Sequence, residues 1–199
     1  MVALDRGRLI LASASPRRLD LLRQIGIEPF RIEAADLDET PGSRELPAAH
    51  AARLAREKAV AVASRFPGDT VLAADTVVAV GRRILGKPAD AGEARKFLQL
   101  LSGRRHRVIG GIAAVDSHGR VHSRVVTSVV RFRRVSESDI RAHLASDEWR
   151  DKAGGYAIQG HAAIFVAFIS GSYSNIVGLP LFETAALLAG LDFQPAPPS

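Results

Sequence analysis

The sequence predicts an α/β fold in which a mixed β-sheet is flanked by helices and forms two lobes around a cleft. Helical and extended hydrophobic patterns alternate along the 199 residues, and two extended patterns in the second half are separated by only a short polar turn. The alternation predicts helices packed on a sheet, and the short turn predicts a hairpin within it. Because neither an internal repeat nor a long linker interrupts the pattern, we expect one domain over residues 1–199, with a frayed tail at 195–199.

The first predicted element is a buried strand at residues 9–12, which leads through small residues into a helix beginning near Pro16. Ser15 is of a type preferred as an N-cap, and proline is best tolerated at the first helical position. Apolar residues then recur at helical spacing as far as Gly26, which predicts the end of this helix.

The next two elements are a helix and a central strand. Residues 46–65 are rich in alanine and are followed by Pro67 and Gly68, which together predict a helix and its end. Residues 71–80 are rich in β-branched side chains and predict a strand that carries Asp75 within it.

A third helix and the hairpin come from the middle of the chain. Asp90 followed by Glu93 has the spacing of a capping pair and predicts the start of the helix. Residues 108–115 and 121–132 predict the two strands of the hairpin, joined by a polar turn at 116–119.

The last part of the chain predicts two more helices and one more strand. Ser136 and Asp139 predict the start of a short helix, which is followed by a glycine-containing loop at 152–160. Residues 163–169 predict a strand, and residues 181–188 predict the final helix.

Composition narrows the class of protein. The formal net charge is +6 and the sequence contains no cysteine, so disulfides and thiolate zinc sites are excluded and a reducing compartment is expected. A basic surface attracts polyanions, but the aromatic content of 6% is low for a surface that stacks nucleic acid bases, and we expect no stable nucleic acid partner. Since neither a secretory signal nor a membrane span is evident, we expect a cytoplasmic protein without membrane contact.

The segment Ser15-Pro16-Arg17-Arg18 is the first candidate for chemistry. A short turn from strand to helix places backbone N–H groups, the positive end of a helix dipole and two guanidinium groups together, which is typical of a phosphate site. Positive side chains are disfavoured in the first turn of a helix, so a purely structural role predicts acidic residues there instead. An ordinary capped helix with two exposed arginines remains the alternative.

Asp75 is the second candidate, because it interrupts a run of residues otherwise suited to burial. An unpaired buried carboxylate is costly, so a cation is expected beside it. The functional interpretation is a general base or metal ligand in the cleft. The structural alternative is an aspartate that caps a neighbouring loop at the end of the strand.

Lys87 is a candidate phosphate ligand on a tight turn. Gly81 and Gly86-Lys87 have the spacing of a P-loop, but Pro88 stands where the Ser or Thr that binds Mg²⁺ is required. The P-loop is therefore excluded, and Lys87 is either a phosphate contact or a surface lysine.

Three further residues complete the candidates. Gln159 lies in the glycine-containing loop, and its amide both donates and accepts, as does the imide edge of uracil or thymine. Glu39 and Lys58 could add a metal ligand and a phosphate contact, although neither is specific alone. The alternative for Gln159 is a structural loop in which the glutamine is hydrogen-bonded.

The histidines, His106 and His161 among them, lack metal-ligand spacing and give no case for a zinc site.

Five segments in register resemble the Maf family of nucleoside triphosphate pyrophosphatases over nearly the whole chain. They are Ala-Ser-Ala-Ser-Pro-Arg-Arg at 12–18, Ala-Asp-Thr-Val-Val at 74–78, Gly-Lys-Pro at 86–88, Lys-Ala-Gly-Gly-Tyr-Ala-Ile-Gln-Gly at 152–160 and Asn-Ile-Val-Gly-Leu-Pro at 175–180.

The resemblance implies a two-lobed fold similar to inosine triphosphatases, a homodimer, and release of pyrophosphate from noncanonical or surplus nucleotides with a divalent cation, Mg²⁺ or alternatively Mn²⁺. It implies that Asp75 is the proton acceptor and that Glu39 is an active-site residue. We expect Glu39 and Asp75 to hold part of the cation, and the sequence leaves open whether Asp75 is the base or chiefly a metal ligand. The substrate-binding residues that we carry over or infer are Ser15, Arg17, Arg18, Lys58, Thr76, Lys87 and Gln159.

Within that set, Arg17, Thr76 and Gln159 fall on the family's positions for substrate choice and resemble the branch that acts on dTTP and UTP, so the expected substrate is a pyrimidine nucleoside triphosphate. Arg18 is expected to support phosphate binding or structure. Two departures from the family pattern are Gly110, where Thr is frequent, and His143, where Tyr is common.

Two other functions remain open on the sequence. One is a nucleic acid or nucleotide-binding module without catalysis, which the basic charge favours but which has no need of a buried acid such as Asp75. The other is an inosine or xanthosine triphosphate pyrophosphatase, in which purine contacts would replace Gln159.

Overall fold

The predicted α/β class is confirmed by the computed structural model, which describes residues 8–191 and residue 193. The strands are β1 (Leu9–Ala12), β2 (Arg31–Ile32), β3 (Thr70–Val80), β4 (Arg83–Leu85), β5 (Arg105–Val115), β6 (Val121–Phe132) and β7 (Val166–Ser170). The helices are α1 (Pro16–Gln24), α2 (Pro47–Ala63), α3 (Ala91–Leu101), α4 (Glu137–Ala145), α5 (Tyr173–Val177) and α6 (Leu181–Ala189), with single 3₁₀ segments at Ala153–Gly155 and His161–Phe165. Within the described residues, none of the helices has both the length and the hydropathy needed to cross a bilayer.

All seven strands belong to one mixed sheet with the order β2-β1-β3-β5-β6-β7, and β4 pairs with β3. The β1–β2 and β1–β3 pairs are parallel, whereas β3–β4, β3–β5, β5–β6 and β6–β7 are antiparallel. The predicted hairpin is therefore the β5–β6 pair.

The predicted helix starts are confirmed. Asp90 accepts from the backbone N–H of Glu93, and Ser136 and Asp139 form a reciprocal capping box. Ser15 occupies the N-cap position of α1 and Pro16 is the first helical residue, as predicted. The Ser15 hydroxyl itself makes no capping hydrogen bond.

Short elements account for the other differences between the predicted and the observed secondary structure. The last strand begins at Val166 rather than at 163, because residues 161–165 form a 3₁₀ segment. The elements β2, β4 and α5 were not predicted, since two to five residues are too few to show a hydrophobic period. The tail predicted at 195–199 lies outside the described residues.

One edge of β3 is shared by two different partners. Pairing with β1 ends at Ala73, and pairing with β4 begins at Val78. Residues 74–77 lie between these partners, while the other edge of β3 pairs continuously with β5 from Val71 to Ala79. This edge of the sheet is therefore interrupted beside Asp75 and Thr76. Pairing with β1 fixes the residues before the interruption, and pairing with β4 fixes the residues after it.

Helix α2 covers one face of the sheet through small side chains. Ala55 and Ala59 pack on the β1–β3–β5 region, and Ala51 packs farther along β3. The approach is so close that a Cβ atom on Gly111 would lie 2.1 Å from the carbonyl oxygen of Ala51. This contact brings the α2 side chains directly over β3.

The opposite face carries two hydrophobic clusters that form the two lobes. In one, α1 and α6 pack around Leu72 and Ala74, and in the other α3 and α4 pack around Val78. Thr76 lies between these clusters along β3 and is only half-buried. The floor between the two lobes therefore coincides with the interrupted edge of β3.

Candidate active site

A cleft of about 820 Å³ opens at the interruption in the sheet. Its walls are the turn after β1, the middle of β3, the turn after β4 and the loop at 152–160. Asp75 and Thr76 are successive strand residues, so their side chains leave opposite faces of the sheet. Both line the same cleft because the cleft extends over the edge of β3.

An ion-pair chain runs across the cleft. Lys58 Nζ on α2 lies 2.7 Å from Asp75 Oδ1 and 2.6 Å from Glu39 Oε1, and Lys87 Nζ lies 3.3 Å from Glu39 Oε2. The side chains of Asp75 and Lys58 are 9% and 10% exposed, so this pair is largely removed from water. The cation expected beside Asp75 is thus Lys58.

Glu39 reaches this chain from a segment without regular structure. Arg53 on α2 holds that segment, because it donates to the carbonyl oxygen of Thr40 and forms two hydrogen bonds with Glu45. Partial burial of Glu39 opposes ionisation, but the hydrogen bond and charge of Lys58, assisted by Lys87, lower the pKa of Glu39 below its ordinary value. Glu39 is therefore ionised at neutral pH and faces the cleft.

Arg18 joins three walls of the cleft. Its guanidinium donates to the carbonyl oxygen of Gly178 at 3.0 Å, to Ser13 Oγ at 3.1 Å and to Thr76 Oγ1 at 3.3 Å. Burial lowers the pKa of Arg18, while the charge of Asp75 acts in the opposite direction. These fixed contacts give Arg18 a positioning role and leave it little freedom to follow a ligand.

The surroundings of Arg17 differ from those of Arg18. The Arg17 side chain is half-buried and lines both the main cleft and an adjoining pocket of about 240 Å³. Burial lowers the pKa of its guanidinium, which means that an anion placed beside it would be stabilised. Ser15 also lines the cleft, with its hydroxyl unused by the helix cap.

Lys87 and the loop at 152–160 are connected through their backbones. The N–H of Gly154 donates to the carbonyl oxygen of Gly86 at 3.0 Å. Gly154 has a φ of +72°, and a Cβ atom there would lie 2.9 Å from Val78, so both conformation and space require glycine. Lys87 itself is exposed at the rim of the cleft.

Gln159 is an exposed side chain that lines both the cleft and the smaller pocket together with Arg17. All of the residues predicted for the site thus border one cavity: Ser15, Arg17, Arg18, Glu39, Lys58, Asp75, Thr76, Lys87 and Gln159. The two expected metal ligands, Glu39 and Asp75, converge on a single point occupied by Lys58 Nζ. Among the described residues no set of three or more His, Cys, Asp or Glu side chains is placed to hold a metal ion.

Sequence reasoning missed the groups that hold Arg18. Ser13 is buried, and its hydroxyl accepts from both Arg18 and the backbone N–H of Ser15. The carbonyl oxygen of Gly178 is the other acceptor. Ser13 and Gly178 both lie in segments that resemble the family, which is the signal that could have found them.

The two departures from the family pattern are accommodated locally. Gly110 faces Asn175 so closely that a Cβ atom would lie 2.0 Å from Asn175 Oδ1. His143 is buried, and its Nε2 donates to the carbonyl oxygen of Gly155 at 2.9 Å. His106 binds the Tyr156 hydroxyl at 2.7 Å, and burial lowers its pKa to about 4, so it is neutral at physiological pH.

Comparisons with known proteins show what the chain is similar to. The family model described as "Maf-like protein" matches residues 8–191. The dTTP/UTP pyrophosphatase of Rhodospirillum rubrum is 62% identical over 189 residues, which cover 95% of this chain and 90% of that protein. The dTTP/UTP pyrophosphatase of Paramagnetospirillum magneticum is 62% identical over 187 residues, covering 94% and 98%. The solved structure of a HAM1 protein from Coxiella burnetii is 19% identical, with a TM-score of 0.47 and coverage of 92% and 99%.

The buried pair of Lys58 and Asp75 should be visible in stability. We expect Lys58→Met to lower the free energy of unfolding by about 3 kcal/mol, because Asp75 then loses its main partner. The double variant Lys58→Met/Asp75→Asn should lose less than Lys58→Met alone, since no uncompensated charge remains. Urea denaturation measures both, with Arg23→Met in the exposed Arg23–Glu28 pair as a control expected to change by less than about 1 kcal/mol. Additive losses in the double variant would contradict the pairing.

Proposed function

The chain belongs to the Maf family, and we propose that it is a nucleoside triphosphate pyrophosphatase that hydrolyses dTTP and UTP to the monophosphate and pyrophosphate. One observation carries the proposal. A carboxylate that is almost completely buried, Asp75, faces a cleft whose other charged groups are mostly cations, with Lys87 at one rim and Gln159 at another. A site that only binds phosphate has no need of this carboxylate, whereas a hydrolase requires a base beside the phosphates.

In the proposed reaction Asp75 accepts a proton from the attacking water. The water oxygen forms a bond to the α-phosphorus, and the bond from the α-phosphorus to the bridging oxygen breaks, so that pyrophosphate leaves. Arg17, Lys58 and Lys87 neutralise the negative charge that develops on the leaving group. Preorganised cations contribute most at such a point, because they need no reorganisation during the reaction.

A divalent cation fits this site as a companion of the nucleotide. Mg²⁺ binds through one or two carboxylates together with substrate phosphates, and Glu39 and Asp75 supply two converging carboxylates. We propose that these two residues hold Mg²⁺, with Mn²⁺ as the alternative, and that the bound cation would withdraw charge from the phosphate oxygens. Lys58 would then shift from the carboxylates towards the phosphates.

Selection of the nucleobase is assigned to the part of the cleft that Gln159 lines. The Gln159 amide can donate to a carbonyl oxygen and accept from the imide N–H of uracil or thymine. Thr76 and Arg17 border the same space. Relatives named dTTP/UTP pyrophosphatase at 62% identity support this choice over a purine.

Three wider properties belong to the same proposal. We propose that the whole chain acts as one two-lobed unit that removes noncanonical or surplus pyrimidine nucleotides. A cytoplasmic location is supported by the absence of cysteine from the sequence. A homodimer is supported by apolar side chains exposed on neighbouring elements, Tyr173 at 50% and Phe182 at 80%.

A panel of nucleoside triphosphates tests the proposal directly. With Mg²⁺ present, UTP and dTTP should give equal amounts of monophosphate and pyrophosphate, and chelation with EDTA should stop turnover until Mg²⁺ or Mn²⁺ is added. Turnover of ITP and XTP alone would favour a purine pyrophosphatase. Binding without turnover of any nucleotide would favour a module that lacks catalysis.

Replacement of the proposed general base tests the role of Asp75. We expect Asp75→Asn to lower kcat for UTP by at least about 100-fold, because an amide of the same shape cannot accept the proton. Asp69→Asn is the matched control, since Asp69 is also a buried carboxylate next to β3 but pairs with Arg8 outside the cleft. Monophosphate release is measured for both variants. Near wild-type turnover by Asp75→Asn would refute the mechanism.

A further inference from the structure

The turn after α4 contributes one acidic side chain to the smaller pocket beside the cleft. Of the described residues that line this pocket of about 240 Å³, Glu148 is the acidic one, and it lies with Arg17, Lys152 and Gln159. Glu148 is half-buried and lies outside the main cleft. The mechanism proposed above does not use it.

Glu148 binds the loop that carries Gln159. Its Oε2 accepts a hydrogen bond from the backbone N–H of His161 at 2.7 Å. The contact is tight at the preceding residue, where a Cβ atom on Gly160 would lie 1.9 Å from the same oxygen. Glycine at 160 therefore allows the carboxylate to reach the backbone two residues beyond Gln159.

A second contact from α4 holds the other end of the loop. His143 Nε2 donates to the carbonyl oxygen of Gly155 at 2.9 Å. Gln159 lies between these two attachment points, at Gly155 and His161. The backbone that presents this exposed amide is thus fixed on both sides by groups from one helix and its following turn.

The turn that carries Glu148 is itself anchored. Trp149 is buried, and its indole N–H donates to the carbonyl oxygen of Leu144 at 3.1 Å. The charge of Glu148 also acts on Lys152 in the pocket. Burial, with a smaller contribution from Arg17, lowers the pKa of Lys152, whereas the charges of Asp151 and, to a smaller extent, Glu148 act to raise it. The Glu148 carboxylate therefore adds to Asp151 in offsetting the repulsion between the two cations that border Gln159.

We infer that Glu148 is a positioning residue that fixes the Gln159 loop and thereby sets selectivity for the base. The inference rests on the proposed function, since it concerns base selection in the same site. It assigns to Glu148 an effect on binding and discrimination, with little effect on the chemical step at Asp75.

Steady-state kinetics of three variants test the inference. In Glu148→Ala we expect KM for UTP to rise about tenfold, the effect of losing one hydrogen bond to a charged group, with kcat within about twofold of the wild type. The ratio of kcat/KM for UTP over CTP should fall by a similar factor. Glu148→Gln keeps an acceptor oxygen and should restore KM to within about threefold. Glu137→Ala removes an acid from the start of α4, the helix that precedes the Glu148 turn, and should match the wild type.

Hydrogen exchange gives a second readout that does not depend on turnover. The amide of His161 and its neighbours at 156–160 should exchange faster in Glu148→Ala than in the wild type or in Glu137→Ala. Unchanged KM and unchanged exchange would overturn the inference, as would an equal loss of kcat for all nucleotides together with a lower Tm. A wild-type protein without activity on UTP or dTTP would refute the proposed function instead, and the exchange result would still decide whether Glu148 fixes the loop.

Discussion

The interruption along one edge of β3 is the constraint on which the site depends. Two strands pair with this edge, one parallel and one antiparallel, and neither reaches residues 74–77. Continuous pairing with β5 on the other edge keeps the interrupted segment extended and rigid. Two adjacent side chains of opposite orientation, Asp75 and Thr76, can therefore face one cavity, and the lobes on either side provide its walls.

The charges in the cleft are paired with one another. Asp75 is buried, and its cost of desolvation is offset by Lys58, which α2 can deliver because small residues let the helix approach the sheet. Glu39 adds a second carboxylate to the same cation. In the proposed function, a polyanionic substrate and a divalent cation would exchange partners with this chain of charges, so that binding would replace existing ion pairs.

The sequence predicted the long elements and the chemistry better than the connections between them. Alanine content located α2, β-branched side chains located β3, and a polar turn between two extended segments located the β5–β6 hairpin. The cost of burying Asp75 predicted a neighbouring cation. It did not identify Lys58 as that cation, because the pairing depends on how α2 crosses the sheet. The contacts of Ser13 and Glu148 were also missed. Ser13 contacts residues near it in sequence, but composition and periodicity do not show where its hydroxyl is directed, whereas Glu148 contacts His161, which is close to it only in the folded chain.

A structure with a non-hydrolysable UTP analogue, such as the α,β-imido compound, and Mg²⁺ tests the central claim most directly. We expect the triphosphate to span the interruption in the sheet, with the α-phosphorus next to Asp75, the outer phosphates towards Lys87 and the uracil edge paired with Gln159. A triphosphate bound outside this cleft, or one with the uracil beside Lys87, would contradict it.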